Sequence, residues 1–390
     1  MRLLITSFEL SDPRLPPTGG IGSFYSAYIS DMNKENIETH FLGCSEKNIK
    51  IDDKKYIFGC YYTRLIRKLC SHPNIFLVAL MFVLDLIIRI RYSFLVKNYV
   101  KKHAIDIIEA PDYKGISSLF KLVGLKIPVV IRTHGTNKVL SDINVQKRNI
   151  GFCLHEKIAL KNCNGIIYIS EASKQYLSES FPFVLNKISI LAYNYVHPYD
   201  RVGGDLKSRD FQDKINVCYF GTLSSGKGID MLFDIMLHFR DDKNIHFTLI
   251  GKSGDYFERL SGKSCYRGLK NYTYLGPVNY DELQGKLNYF DVFIFPTKFE
   301  NCPLSWFEAM LNKKPMLCSN IPVTKEIIRD FHSGLICNSL EDYIFGLSYL
   351  KDEIVRDVIG SNAYINVVNK FSWGSCFDKS LRFYNKLIIG

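Results

Sequence analysis

Two glutamates in the second half of the chain stand where they could contact a sugar. Glu300 lies in a polar turn after the apolar run Val292–Pro296, and Glu308 follows eight positions later among apolar residues at helical spacing (Leu304, Phe307 and Leu311). The pattern predicts a strand that ends in a turn and a helix. At that edge of an open α/β sheet the helix N-terminus favours an anion, and a carboxylate beside it needs a neutral partner such as a sugar hydroxyl. The alternative is a pair of solvated surface glutamates.

The turn Gly221–Gly228 is a second candidate, and it follows a predicted strand, Ile215–Phe220. Its spacing is close to that of a phosphate-binding loop, but Gly228 stands where the magnesium-binding hydroxyl residue would be. Lys227 at this strand–helix junction could hold a diphosphate, or it could be a simple surface lysine. No D-x-D occurs in the chain. We therefore expect no metal and no cofactor, with Lys227 and helix dipoles neutralising a diphosphate.

The first half of the chain offers glycines and polar strand tips. Gly19, Gly20 and Gly22 lie in the loop Ser11–Gly22, before a predicted helix at Ser23–Met32. A ten-residue gap after the first strand makes a dinucleotide-binding fingerprint a poor match, which leaves a flexible loop or a ligand-approaching backbone.

Later strands end in polar residues, as a parallel sheet with a site along its carboxyl edge requires. Asp112 and Tyr113 follow one strand, and His134 with Gly135 follows the next. His134 could contact a ligand or could be a structural histidine hydrogen-bonded in a turn.

Strand–helix alternation runs through two stretches separated by a polar, aperiodic segment, His197–Lys214. The 390-residue length also favours two domains. We predict α/β domains at 1–197 and 215–371, a linker at 198–214, and a C-terminal helix at about 372–390 that packs back on the first domain.

The charge balance is 50 − 39 = +11, which suits a partner that carries phosphate. A nucleic acid is the least favoured such partner, because the charges lack clustered aromatic stacking motifs. Eleven cysteines without a C-x-x-C indicate reduced thiols, and the polar residues early in the N-terminal strand argue against a signal peptide. We expect a cytoplasmic protein.

Ile75–Leu84 is an uninterrupted apolar run with basic flanks. It falls short of the ~20 residues of a spanning helix. A buried core helix is the default interpretation, and an interfacial helix on the inner face of an anionic membrane is the functional alternative.

Three motifs of the second half together resemble the retaining GT-B glycosyltransferases of family 4. Gly221–Asp230 is similar to the family's G-R-L-x-x-x-K-G-x-D segment, Glu300–Met310 to its E-x7-E signature, and Ser319–Ile328 to the stretch that follows. Three other stretches are less similar to the family's motifs: the glycines of the loop Ser11–Gly22, His134–Gly135, and Phe371–Ser372–Trp373 near the end of the chain. The resemblance implies two doubly wound Rossmann-like domains facing each other across a cleft.

The resemblance also implies roles for residues of this chain. Glu308 would bind the donor ribose, Glu300 would contact the sugar, and Lys227 would neutralise the leaving diphosphate. His134 would bind the sugar from the first domain. The remaining donor contacts would be Gly20, Gly221, Thr222, Pro277, Val278, Asn301, Cys302, Pro303 and Leu304, and the acceptor candidates are Gly19, Gly22, Asp112 and Tyr113.

The implied reaction transfers a sugar from a UDP- or GDP-sugar to a hydroxyl of a glycan or a lipid-diphosphate-linked acceptor, with retention, in bacterial surface-polysaccharide synthesis. Thr222 replaces the family's arginine, and Asn301–Pro303 replace its G-F-G, which puts the donor's identity in question. Hydrolysis by paired carboxylates, a nucleotide-sugar epimerase and a nucleic-acid-binding protein are the competing interpretations.

Overall fold

The computed structural model describes residues 1–15, 19–45, 47–59, 75–143, 147–197 and 214–390. They form two compact units. Unit 1 comprises Met1–Ala192 and Phe377–Gly390, and unit 2 comprises Tyr193–Cys376. The predicted linker lies outside the described residues except for its last position. Unit 1 ends at Ala192 where residue 197 was predicted, and the chain returns to it at Phe377 where residue 372 was predicted, whereas unit 2 begins at Tyr193 and not at the predicted residue 215.

Unit 1 contains an eight-stranded sheet in the order β3-β4-β2-β1-β5-β6-β7-β8. The strands are β1 Arg2–Ser7, β2 Glu38–Ser45, β3 Ile49–Lys50, β4 Lys55–Gly59, β5 Ile107–Pro111, β6 Val129–Arg132, β7 Gly165–Tyr168 and β8 Ser189–Leu191. All neighbours are parallel except β3, which pairs antiparallel with β4. The chain builds outward in both directions from β1 and β5, so their carboxyl ends form a topological switch point.

The helices of unit 1 show where the sequence pattern was right and where it was not. They are α1 Gly20–Lys34, α2 Ile75–His103, α3 Asn137–Asp142, α4 Ile150–Asn162 and α5 Glu171–Ser180. Helix α1 begins three residues earlier than predicted, so Gly20 and Gly22 belong to its first turn and not to the loop. Residues Ser117–Val123, for which the strand–helix alternation predicts a helix, instead form successive turns, so that prediction is wrong.

Unit 2 contains a six-stranded, fully parallel sheet in the order β11-β10-β9-β12-β13-β14. The strands are β9 Ile215–Phe220, β10 Ile245–Ile250, β11 Tyr272–Gly276, β12 Val292–Phe295, β13 Met316–Ser319 and β14 Leu335–Cys337. The helices are α6 Ile229–His238, α7 Asp255–Ser261, α8 Tyr280–Leu287, α9 Leu304–Leu311, α10 Thr324–Ile327, α11 Leu340–Tyr349, α12 Glu353–Lys370 and α13 Trp373–Ile389, the last of which crosses the unit boundary.

The central strands of unit 2 are apolar on both faces because helices cover both sides of a parallel sheet. Every residue of β12 is buried, and Phe220, Phe293 and Phe295 pack edge-to-face or stacked at its centre. Together, the two units confirm the predicted class of two doubly wound α/β domains.

A buried ion pair secures the C-terminal segment to unit 1. Arg132 and Glu109 on neighbouring strands are both fully buried, with Nε–Oε1 and Nη2–Oε2 distances of 2.8 and 3.1 Å. Tyr384 donates its hydroxyl to Glu109 and lies 2.9 Å from the Tyr28 hydroxyl. Burial raises the pKa of Tyr384, so it remains a neutral donor. These bonds place Phe377–Gly390 with unit 1.

Candidate active site

In the sheet of unit 2, β9 and β12 are neighbours. The strand order reverses between them, because the strands after β9 add on one side and those after β12 on the other. The turns after them are joined by hydrogen bonds. The carbonyl of Gly226 accepts the backbone N–H of Lys298 at 3.0 Å and the Thr297 hydroxyl at 3.2 Å. Ligands bind at such a switch point in open α/β sheets. The two sequence candidates of unit 2 are therefore parts of one edge.

Close backbone approach at this edge requires Gly228. Its φ of 67° is left-handed, and an added Cβ would lie 1.7 Å from the carbonyl oxygen of Pro296. A side chain here would push the two turns apart. The residue that departs from the phosphate-loop pattern is thus explained by packing.

Lys227 and Glu300 form an ion pair between their Nζ and Oε1 atoms. Both side chains are partly exposed, with relative exposures of 34% and 15%. The charge of Glu300 adds to burial in raising the pKa of Tyr219, whose hydroxyl donates to the carbonyl of Thr222 at 2.8 Å. The structure therefore brings two of the three predicted catalytic residues into contact and fixes Thr222 beside them.

Glu308 lies on α9, with its side chain partly exposed. Its carboxyl has no hydrogen bond or ion pair with any residue the structure describes. Burial raises its pKa to about 8, because nothing compensates the desolvated charge. A carboxyl in this state is suited to hydroxyl groups of a ligand, which would supply the missing hydrogen bonds.

The segment between Glu300 and Glu308 is fixed by burial and by a hydrogen bond from Asn194. Asn301 and Cys302 are buried, and the Cys302 carbonyl accepts the Asn194 side-chain amide at 2.9 Å. Pro303 is the N-cap of α9 and has no side-chain capping bond. The Trp306 N–H donates to the Pro303 carbonyl at 3.2 Å, so the N–H groups of Leu304 and Ser305 are the ones that face an anion at this helix end. Burial raises the pKa of the Cys302 thiol, which makes it a poor nucleophile.

The turn that follows β10 packs against the turn after β9 and is hydrogen-bonded to the end of β11, at the same edge of the sheet. An added Cβ at Gly251 would lie 1.9 Å from the Gly221 carbonyl oxygen, and the Gly251 N–H donates to Gly276 at 2.9 Å. Pro277 and Val278 come next, after β11, with Pro277 exposed. The predicted donor residues of unit 2 thus follow three strands, β9, β11 and β12, that end at one edge.

In unit 1, Asp112 positions the loop that carries His134. Its buried carboxylate accepts the backbone N–H groups of His134 at 2.7 Å and Gly135 at 3.0 Å. Burial raises the pKa of Asp112 to about 7, against those two bonds. This engagement inside the loop differs from the acceptor contact predicted for Asp112. Tyr113 remains half-buried at the same strand tip.

His134 packs against aromatic rings of α1. Its ring centroid lies 5.2 Å from Phe24 and 5.4 Å from Tyr25. Burial and then the charge of Arg132 lower its pKa to about 3, so the imidazole is neutral at physiological pH. A neutral, partly exposed imidazole can donate or accept one hydrogen bond but does not supply positive charge.

The glycines of unit 1 lie at the start of α1. Gly19 is the N-cap, and an added Cβ at Gly20 would meet nothing within 4 Å. Gly22 is buried, and its carbonyl accepts the Ser11 N–H at 3.1 Å. Gly22 is therefore committed to packing, whereas Gly20 leaves open space beside the backbone.

Sequence reasoning missed Glu156 on α4, which joins two loops at the carboxyl edge of unit 1. Its carboxylate accepts N–H groups of Lys114 at 3.0 Å, Asn137 at 2.6 Å and Lys138 at 3.1 Å. Burial raises its pKa to about 7 against these bonds. The only signal in the sequence was a glutamate among apolar residues of a helix, and that cannot identify partners distant in sequence.

Comparison with known proteins is consistent with this geometry. Residues 206–364 match the family model described as Glycosyl transferases group 1. The matched residues lie within unit 2 and are similar to a group 1 glycosyltransferase domain. Across 302 residues it is 26% identical to the uncharacterized glycosyltransferase MJ1178 of Methanocaldococcus jannaschii, covering 75% of this chain and 78% of that protein. It is also 26% identical over 225 residues to an uncharacterized 41.2 kDa protein in the cps region of Klebsiella pneumoniae, covering 56% and 60%.

Solved structures show the same fold. Sucrose-phosphate synthase from Thermosynechococcus elongatus superposes with a TM-score of 0.79 over the full length of both chains, at 15% identity. A point mutant of S. aureus TarM, solved with Fondaparinux, alpha-GlcNAc-glycerol and UDP, gives a TM-score of 0.72 over 99% of this chain and 100% of that chain, at 14% identity. At these identities the likeness is one of fold.

Proposed function

We propose that this protein moves a sugar from a UDP- or GDP-sugar to a hydroxyl of a glycan or lipid-linked acceptor, with retention of configuration. The observation that carries the proposal is the contact of Lys227 with Glu300 at the β9–β12 junction. On the helix that follows, the Glu308 carboxyl has no partner among the described residues. A cation beside two differently placed carboxyls suits a ligand with a charged diphosphate and neutral hydroxyl groups.

In the proposed donor complex Lys227 exchanges its partner. Its ammonium turns from Glu300 to the diphosphate, and Glu300 is released toward the sugar. The uncapped N-terminus of α9 adds N–H groups and a favourable dipole for the phosphates. Glu308 binds the ribose hydroxyls, which compensate its buried charge.

The proposed chemistry needs no side-chain nucleophile. The bond from the anomeric carbon to the leaving phosphate oxygen breaks, the acceptor oxygen bonds to that carbon from the same face, and its proton passes to the leaving phosphate. Charge develops on the diphosphate, where a preorganised ammonium lowers the barrier. Within the described ranges no cluster of three or more His, Cys, Asp or Glu side chains is placed to hold a metal ion, and we propose that Lys227 supplies the positive charge.

The relatives support the choice of substrates. A TarM structure contains UDP, and a relative of this chain is named for its place in a cps region. We propose on this basis a UDP-sugar before a GDP-sugar, and a role in bacterial surface-polysaccharide synthesis on the cytoplasmic face of the membrane.

Helix α2 supports an anionic membrane surface as a further partner. One face is buried, through Met81, Ile88, Tyr92 and Val96, as expected for a core helix. The opposite face exposes Val83, Ile87 and Phe94 by 50%, 46% and 50%, and exposed Lys97, Lys101 and Lys102 follow toward its C-terminus. Apolar side chains beside lysines suit the headgroup region of an anionic bilayer. No helix in the described part of the chain has the length and apolar content needed to cross one.

A thermal-shift panel of UDP, GDP, ADP and their sugars tests the donor assignment, because a ligand that binds the native state raises the melting temperature. The sugar that stabilises the protein most is then incubated with and without acceptors. Transfer that requires an acceptor supports the proposal. Interconversion of the nucleotide-sugar without any acceptor would establish the epimerase instead.

A further inference from the structure

Unit 1 contains a cavity of about 350 Å³ that the proposed reaction does not use. It lies between α3, α4 and the segment that follows α5. Its lining combines cationic and apolar side chains, namely Lys138, Arg148, Ile150, Cys153, Leu154, Lys157, Ser180, Phe181, Pro182 and Phe183. No acidic residue is among them. The cavity therefore presents positive charge next to apolar surface.

Among the described residues, two of the three cations form no ion pair with a carboxylate, although the charge of Arg148 acts on nearby Asp142. Lys138 is neutralised by Asp142, with Nζ and Oδ2 2.7 Å apart. Neither Arg148 nor Lys157 forms an ion pair with any described residue, and both side chains are exposed. A guanidinium and an ammonium at one cavity offer a fork and a point charge to a single phosphate.

The apolar part of the lining is open to a ligand. Ile150 and Leu154 lie one turn apart on α4 and are 80% and 41% exposed. Of the two lining phenylalanines, Phe181 is buried and Phe183 is half-buried. Exposed aliphatic side chains gain by being covered, and the neighbouring cations attract an anion, so one amphiphilic anion can contact both parts of the lining.

We infer that this cavity binds the phosphate end of an amphiphile, with the phosphate on Arg148 and Lys157 and the adjoining chain along Ile150, Leu154 and Phe183. Two sources share this chemistry, a phospholipid of the bilayer and a polyprenyl phosphate. A polyprenyl phosphate would be the lipid part of the proposed acceptor, so that source rests on the proposed function, whereas binding of a phosphate amphiphile is measured without sugar transfer.

Calorimetric titration of the full chain tests the inference with octyl phosphate, octyl glucoside and inorganic phosphate, each below its micellar concentration. Octyl phosphate should bind, and the uncharged amphiphile and the bare anion should bind at least about tenfold more weakly, because each lacks one half of the recognition. The double variant Arg148→Glu/Lys157→Glu should lower the affinity for octyl phosphate by more than about tenfold. Lys174→Glu, an exposed lysine on α5 outside the cavity, is the matched control and should bind as the wild type does.

Equal octyl phosphate affinity in the double variant and the wild type would overturn the inference, as would inorganic phosphate binding as tightly as octyl phosphate. Circular dichroism of each variant establishes that it is folded. Leu154→Ser tests the apolar part of the lining separately. It should lower the affinity for octyl phosphate and leave the affinity for inorganic phosphate unchanged.

Two soluble lipids then identify the source. Dioctanoyl phosphatidylglycerol presents a phosphodiester on two chains, and farnesyl phosphate presents a phosphomonoester on a polyprenyl chain. The lipid that displaces octyl phosphate at the lower concentration represents the natural class. Displacement by neither lipid would contradict the inference.

Discussion

Lys227 and Glu300, 73 positions apart in the chain, form an ion pair across the junction of β9 and β12. The pair exists because Gly228 lets one turn lie against the carbonyl of Pro296 and because Gly226 accepts hydrogen bonds from the other turn. In the proposed donor complex the diphosphate replaces this carboxylate, and the ion pair keeps the Lys227 ammonium at the junction until the donor binds.

Replacement of Lys227 by alanine should lower turnover by about 10²-fold, because the leaving diphosphate loses a preorganised cation. Steady-state kinetics with saturating donor measure this. Lys298→Ala is the matched control, since Lys298 lies near the same turn but pairs with Asp230 at 2.7 Å. Near-normal turnover in Lys227→Ala would refute the role in leaving-group stabilisation.

Glu308→Gln should stabilise the free protein more at pH 8 than at pH 5. The folded pKa of Glu308 is raised to about 8 from an ordinary value near 4.5, so the native state retains a proton that the unfolded state loses between these values. Stability therefore falls as pH rises through this window, and glutamine removes that loss.

The melting temperatures of wild type and Glu308→Gln at pH 5 and pH 8 test this prediction, with exposed Glu353→Gln as the control. The same variant should bind the donor nucleotide more weakly, because it loses a ribose contact. A constant difference in melting temperature across the pH range would contradict the raised pKa.

Arg132→Ala should reduce the free energy of unfolding by about 3–5 kcal/mol, because it leaves the Glu109 charge buried without its partner. Urea denaturation followed by circular dichroism provides the value. Lys174→Ala removes an exposed partner of Glu171 and should change stability by less than about 0.5 kcal/mol. Equal effects of the two substitutions would show that the buried pair contributes little.

Transfer activity should survive prior dialysis against EDTA, since Lys227 and the N-terminus of α9 are proposed to neutralise the diphosphate. The assay compares initial rates before chelation, after chelation, and after addition of Mg²⁺ or Mn²⁺. Activity that disappears on chelation and returns with either ion would show that a metal is required.

Val83→Asp/Ile87→Asp should abolish flotation with vesicles that contain phosphatidylglycerol, because charge replaces the exposed apolar face of α2. Ile354→Asp/Val358→Asp is the matched control, as both residues are exposed and apolar on α12 in unit 2. Wild-type protein that stays out of the lipid fraction at low salt would reject the membrane surface, and equal losses in both variants would show that the face of α2 is not specific.

Much of the sheet edge that carries Lys227, Glu300 and Glu308 could be predicted from the sequence. The apolar runs of β9 and β12, the turn Gly221–Gly228 and the helical spacing around Glu308 are local patterns, and local patterns determine strands, turns and helices. The assignment of Lys227, Glu300 and Glu308 to one site came from motif resemblance. Contact between the first two required the strand order, which a sequence pattern does not contain.

The sequence by itself determined the two α/β repeats and the residue types at each strand tip, because periodicity and backbone conformation are properties of neighbouring residues. Only the tertiary structure decided that Asp112 holds the loop of His134, that Glu156 bridges two loops, and that α2 is buried on one face and exposed on the other. Each of these depends on partners far apart in the chain, and hydrogen bonding and burial are decided by which distant segments pack together.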